Sequence, residues 1–145
     1  MKPANTKYTD PNLTIRAMRI ALGKSQVWLA NKLHVQTSAV SYYERREDNS
    51  ALYFKVDPDK ARKVLFDELE RQVKDNGKWY RDILNLKIAI SIIDELKYNP
   101  KEQKKAHKEL LMPLFSEKKL TPWIYIVKDP AFGEMELFKD GDNSE

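Results

Sequence analysis

The sequence predicts a mainly α-helical protein whose helical C-terminal region ends in a small β-hairpin, and three observations carry that expectation. Apolar residues recur at three- and four-residue spacing from Leu13 to Met112. Helix-start residues (Ser25, Asp57-Pro58 and Asn99-Pro100) stand directly before the periodic stretches. The densest run of β-formers, Trp123-Ile124-Tyr125-Ile126-Val127, falls near the C-terminus.

Taken in order, residues 1–11 are polar, contain two prolines and read as a flexible arm. A first helix is expected from Leu13 to Leu22, with Ile15, Met18 and Leu22 on one side and Gly23 closing it in the left-handed conformation that glycine adopts without steric cost. Ser25 suits the N-cap of a second helix, Gln26 to Leu33, with Val27, Leu29, Ala30 and Leu33 as its buried stripe. After a break at 34–36, a third helix is expected from Thr37 to Arg45, with Val40 and Tyr43 facing inward. Residues 51–56 suit a short strand or an extended connector. Asp57 as N-cap, Pro58 at the first helical position and Asp59 in the electropositive first turn open a fourth helix that Asn76-Gly77 ends.

Trp79 to Tyr98 is the most apolar helix, with Ile83, Leu86, Ile90 and Ile93 on one face and Leu84, Ile88 and Ile92 widening the stripe, a face expected to be core and wide enough to serve a dimer interface too. Asn99-Pro100 opens another helix, to about Met112. Met135 to Phe138 is expected to pair with the 123–127 run across a turn at Asp129-Pro130 and Gly133, leaving 140–145 as a disordered tail. The organisation expected is therefore an arm (1–11), a first domain (12–76), a helical and hairpin region for self-association or partner binding (77–139), and the tail.

Composition narrows the function classes. The chain has 145 residues, 41% of them hydrophobic and 33% charged, which suits a packed core under a solvated surface. Cysteine is absent, which removes disulfides, thiolate metal sites and a cysteine nucleophile. No apolar run reaches the roughly 18 residues of a membrane span, and the N-terminus lacks a charged-then-apolar leader, so a cytoplasmic protein without membrane partners is expected. The net charge of +4 is unevenly placed: residues 1–56 carry nine Lys/Arg against four Asp/Glu, and residues 57–145 seventeen against eighteen. Such asymmetry fits a polyanion-facing module joined to a neutral one.

The informative stretch is Gly23 to Glu44, GKSQVWLANKLHVQTSAVSYYE. Two short helices that cross closely need a small residue at the crossing, which Ala30 supplies, and apolar residues beneath, which Leu29, Leu33, Val35, Val40 and Tyr43 supply. Ala39 keeps the start of the outer helix slim. With Arg16-Ala17-Met18-Arg19 upstream, Ser25-Gln26 followed by Leu29-Ala30, and Val40-Ser41 followed by Tyr43-Glu44, the segment 15–44 resembles the Cro/phage-repressor-like (XRE) helix-turn-helix family.

That resemblance implies a Cro/repressor-like helix-turn-helix domain, a double-stranded DNA operator as partner, and roles for individual residues. Gln26 is similar to the family's phosphate-contacting glutamine, at a helix N-terminus that itself favours phosphate. Thr37, Ser38, Ser41 and Tyr42 fall where the family's recognition helix meets the major groove, with Gln36 just before it. None of the four is Arg, Lys, Asn or Gln, whose bidentate base contacts are best defined, so hydroxyls, thymine methyls and water are expected to carry the readout. Lys24, Ser25, Lys32, Arg45 and Arg46 are the further phosphate candidates. Arg19 and Glu44 resemble the family's buried ion pair. Two departures stand out: His34 occupies a turn position usually held by glycine, and Arg46 replaces a glycine often found after the recognition helix.

The expected function is a sequence-specific, dimeric transcriptional repressor rather than an enzyme, with no metal and no cofactor. The alternative is an antitoxin-type protein that autoregulates through the same motif and neutralises a toxin-like partner through residues 77–139. His34 and His107 are too far apart in sequence to suggest a metal or catalytic pair. Glu95-Leu96-Lys97 has the spelling of a nuclease motif but falls on a helix, where that chemistry wants a strand. The run Lys101 to Lys108 reads as a solvated helix face.

Overall fold

Four of the six helices begin where a side chain or a proline takes the place of a missing intrahelical partner. The computed structural model describes residues 6–112, and these form six α-helices with no strand among them. Helix α1 (Pro11–Ala21) starts on a proline after extended Asp10 and ends before Gly23, whose φ of +74° is the left-handed turn foreseen there. Ser25 Oγ accepts the Trp28 N–H at 3.0 Å and caps α2 (Gln26–Leu33). His34, at φ 58° and ψ 43°, closes α2, and Gln36 in extended backbone opens α3 (Thr37–Glu44).

Asp57 Oδ1 accepts the Asp59 N–H at 3.0 Å and starts α4 (Pro58–Asn76), which Gly77 ends at φ +101°. Helix α5 (Trp79–Glu95) follows directly. Asn99 Oδ1 accepts the Glu102 N–H at 3.3 Å to cap α6 (Pro100–Ala106), which runs on into a wider π turn over His107–Leu111. None of these helices is long and apolar enough to cross a membrane, among the described residues.

One continuous core ties the elements together. Helix α5 packs on α1 and α4, α2 packs on α3 and α4, and α6 with its π turn closes over α5. Ile15, Met18, Leu29, Leu65, Leu69, Leu84, Ile88, Ile92, Leu96 and Leu110 are fully buried in it. Each such side chain contributes about 1.5–3 kcal/mol of burial. The core runs across the 76/77 position, so α5 supports α1 directly.

Four expectations are corrected. Residues 51–56 are not extended: Ala51–Lys55 is a 3-10 turn packed beside α3, its first turn capped by Ser50 Oγ on the Leu52 N–H at 3.2 Å. From Thr6 onward the expected arm is seated, with Tyr8 buried and its N–H donated to Glu102 of α6 at 3.0 Å. Val27 does not join the buried stripe of α2; it is 53% exposed, because the helix is only eight residues long and Leu29 and Ala30 already fill its inner face.

The fourth correction concerns the face of α5. Leu84, Ile88, Ala89, Ile92 and Leu96 face the core, while Ile83 and Ile90 are exposed and Leu86 and Ile93 half-buried. Both stripes are apolar at helical spacing, and Arg81 and Asn85 interrupt the one that turned inward. Arg81 is accommodated there by Glu70 of α4 at 2.9 and 3.2 Å. The Asn85 amide has no hydrogen-bond partner among the described residues. The expected hairpin at 123–138 and the tail at 140–145 lie outside the described residues.

Candidate nucleic-acid interface

Helix α3 divides cleanly by burial. Ala39, Val40, Tyr43 and Glu44 are buried, Thr37 and Ser38 are exposed, and Ser41 and Tyr42 are half-buried. The division follows from helical spacing: 37, 38, 41, 42 and 45 share one side, 39, 40, 43 and 44 the other. Ala39, with no exposure, lets the first turn of α3 sit close to its support, and Val40 and Tyr43 anchor the remainder in the core. The outer side carries three hydroxyl-bearing residues besides Tyr42 itself. At its start, Gln36 is exposed and its Oε1 accepts from Ser38 Oγ at 3.3 Å, which orients the amide along that side.

Helix α3 is fixed at its far end by Glu44. The buried carboxylate accepts from Arg19 Nε at 2.7 Å and from a terminal Arg19 nitrogen at 2.8 Å, a bidentate fork between α1 and α3. Arg19 also donates to the Lys24 carbonyl at 2.8 Å, holding the loop that enters α2. Gln26 Nε2 donates to Glu44 Oε1 at 2.9 Å, so the start of α2 and the end of α3 are joined through one carboxylate. Arg16 approaches Glu44 at 3.8 Å and pairs with Glu95 at the end of α5. Glu95 thus belongs to an ion pair on a helix.

The six phosphate candidates differ in what holds them. Ser25 spends its hydroxyl on the cap of α2, and Gln26 its amide on Glu44. Lys24 pairs with Glu68 of α4 at 3.4 Å and lies over the Trp28 ring, 5.2 Å from its centroid. Lys32 is exposed and also lies over the Trp28 ring, 5.7 Å from its centroid. Arg45 forks onto Glu47 at 2.9 and 3.2 Å and donates to Ser41 Oγ at 2.8 Å, with its guanidinium over the Tyr42 ring at 5.2 Å. Arg46 turns to the N-terminal segment, where it donates to Thr6 Oγ1 at 2.8 Å and pairs with Asp10 at 3.2 Å. Its φ of 59° is left-handed, like that of His34, so both departures from glycine fall on positive-φ backbone.

A search for matching families, curated proteins and solved structures finds none that matches this chain.

The charge around Lys24 is set by Glu68. The Arg71 hydrogen bond, aided by Gln72 and the charges of Lys24 and Arg71, outweighs burial and lowers the Glu68 carboxyl from 4.5 to about 2. Arg71 is raised in return, chiefly by its hydrogen bond to Glu68. Several surface features beside α3 escaped the sequence. Val27 is exposed in the first turn of α2, and Phe54, 70% exposed, and Lys55 project from the 3-10 turn. Glu47 counters Arg45 and was legible only as an acidic neighbour two residues on. The Ser50 cap before Ala51 was a signal for a turn rather than a strand.

Proposed function

We propose that the chain is a sequence-specific double-stranded DNA-binding regulator, a two-fold repressor that reads the major groove with α3 from its N-terminal side. The observation that carries this reading is the outer side of α3. It is an exposed, slim helix start with Thr37, Ser38, Ser41 and Tyr42 on one line, Gln36 oriented at its tip, and Ala39 buried beneath. A helix presented that way fits the width of the major groove. The motif-level likeness of residues 15–44 to Cro/phage-repressor-like helix-turn-helix proteins supports the same reading. The Glu44 junction supports it physically, because a reading helix must be held rigid on its scaffold.

Affinity in this reading comes from backbone contacts around the start of α2, where the first N–H groups of the helix favour phosphate, together with Lys32 and Arg45. Arg46 is assigned to the fold instead. Arg45 must leave Glu47 to reach a phosphate, so binding is expected to be modest and strongly salt-dependent. Repression follows from occupying a near-palindromic site whose half-sites lie about 34 Å apart, which excludes polymerase. The test is selection of duplexes from a random pool by the full chain. A sharp enriched motif with dyad symmetry is expected; a pool that stays random while the protein binds it weakly would overturn the reading.

A further inference from the structure

Helix α5 carries a second apolar stripe on the side away from its buried one, and of its five residues Ile93 also packs against the core. Trp79, Ile83, Leu86, Ile90 and Ile93 follow one another at intervals of four, three, four and three residues. Trp79 is 63% exposed, Ile90 51% and Ile83 36%, and the other two are half-buried. One exposed isoleucine is ordinary, but three exposed and two half-buried apolar side chains along one helix present on the order of 400 Å², the size of the largest patch on a typical monomer, which is often functional. The alternation of fours and threes is a period of about 3.5 residues, which keeps a stripe facing another helix wound around it.

We propose that this stripe seats the same stripe of a second copy of the chain, the two α5 helices running parallel and in register about a two-fold axis. The heptad carries both choices. Ile83 and Ile90 take its a positions, and Trp79, Leu86 and Ile93 its d positions, so the central layers place β-branched side chains at a around a leucine at d. In a parallel arrangement, Ile83 and Ile90 around Leu86 favour two strands. The rim agrees with it. Asp82 then stands at g and Lys87 at e, and in a parallel pair each g side chain faces the following e side chain of the other helix. Asp82 of each copy meets Lys87 of the other, twice per pair. An antiparallel pair would bring the two Lys87 side chains together at its centre. The stripe shares no residue with the outer side of α3, and pairing through it supplies the two-fold symmetry that the proposed function requires. Its test uses no DNA, so the two proposals fail separately.

The experiment is sedimentation equilibrium on the full chain at micromolar concentration, with three sets of variants. The chain is expected at the mass of two copies. Ile90→Glu is expected at the mass of one, with unchanged helical circular dichroism because Ile90 is half exposed. Asp82→Lys and Lys87→Asp should each weaken the pair about tenfold, and the double exchange should restore it. The chain has no cysteine, so Ile83→Cys should crosslink only to its own counterpart under mild oxidation, which places the two helices parallel. Three results would overturn the proposal: a single-copy mass at 100 micromolar, a dimer that Ile90→Glu leaves intact, or a dimer that Ile83→Cys fails to crosslink.

Discussion

Truncating Glu44 tests the junction on which the orientation of α3 depends. Its side chain is 1% exposed and that of Arg19 9%, and Glu44→Ala removes both arms of the fork and the acceptor of the Gln26 amide. The Arg19 guanidinium is then left with the Lys24 carbonyl as its remaining hydrogen-bond partner in the fork. Breaking a buried pair from one side costs about 3–5 kcal/mol, mostly from the stranded charge. Gln26 is half-buried and can turn its amide to water, so the lower part of that range, about 3–4 kcal/mol, applies.

At a urea m-value of about 2 kcal/mol per M this moves the unfolding midpoint down by roughly 1.5–2 M with the slope unchanged. Replacing both partners removes the stranded charge, so Arg19→Met with Glu44→Leu should cost less than the two single changes added together, by about 2 kcal/mol or more. Equilibrium urea unfolding of the parent, Glu44→Ala, the two single changes of the cycle and their combination reads this directly. A Glu44→Ala cost under about 1 kcal/mol, or additive single changes, would refute the view that this pair holds α3 in place.

Glu68 predicts the acid limb of stability. Its folded pKa is lowered from 4.5 to about 2, so its contribution is complete above the unfolded value and is lost as pH falls through that window. A shift of that size corresponds to about 3 kcal/mol, reduced to roughly 1–2 kcal/mol because Arg71 is 55% exposed to screening solvent. Glu68→Gln should flatten the stability–pH curve between those two pH values, and an unaltered slope would contradict the assignment. Glu47→Ala should release Arg45, tighten DNA binding at low salt and steepen the log affinity–log salt slope by about one unit; unchanged affinity and slope would place Arg45 off the backbone. His34→Gly removes a left-handed residue with an exposed side chain. It should stabilise the fold by about 0.5–1 kcal/mol after the added chain entropy of glycine is counted, whereas a loss in thermal unfolding would show that the imidazole contributes.

Much of this fold was legible because its helix boundaries are local chemistry. Ser25, Asp57 and Asn99 cap where their side chains reach the first-turn N–H groups, and that requires no knowledge of the rest of the chain. The two sides of α3 were equally legible, since Ala39, Val40 and Tyr43 fall on one side at helical spacing and the hydroxyls of Thr37, Ser38 and Ser41 lie opposite. The orientation of α5 was not. Two apolar stripes compete there, and the choice depends on α1 and α4 arriving with complementary shape and on Glu70 neutralising Arg81. The fate of the cations was hidden for the same reason: Lys24 meets Glu68 across 44 positions and Arg46 meets Thr6 across 40, pairings that spacing cannot reveal. Positive charge counted along the sequence overstated the charge that the candidate interface leaves unopposed.

The most direct test of α3 as the reading helix is to select binding sites in parallel with the parent chain, Thr37→Ala and Ser38→Ala, and then to probe the selected duplex with 7-deaza purines, which remove an acceptor in the major groove only. The expected result is a changed base preference at one or two positions for each variant, with 7-deaza substitution weakening binding at those same positions. An enriched site identical for all three proteins, insensitive to the loss of the purine N7 atoms, would contradict it.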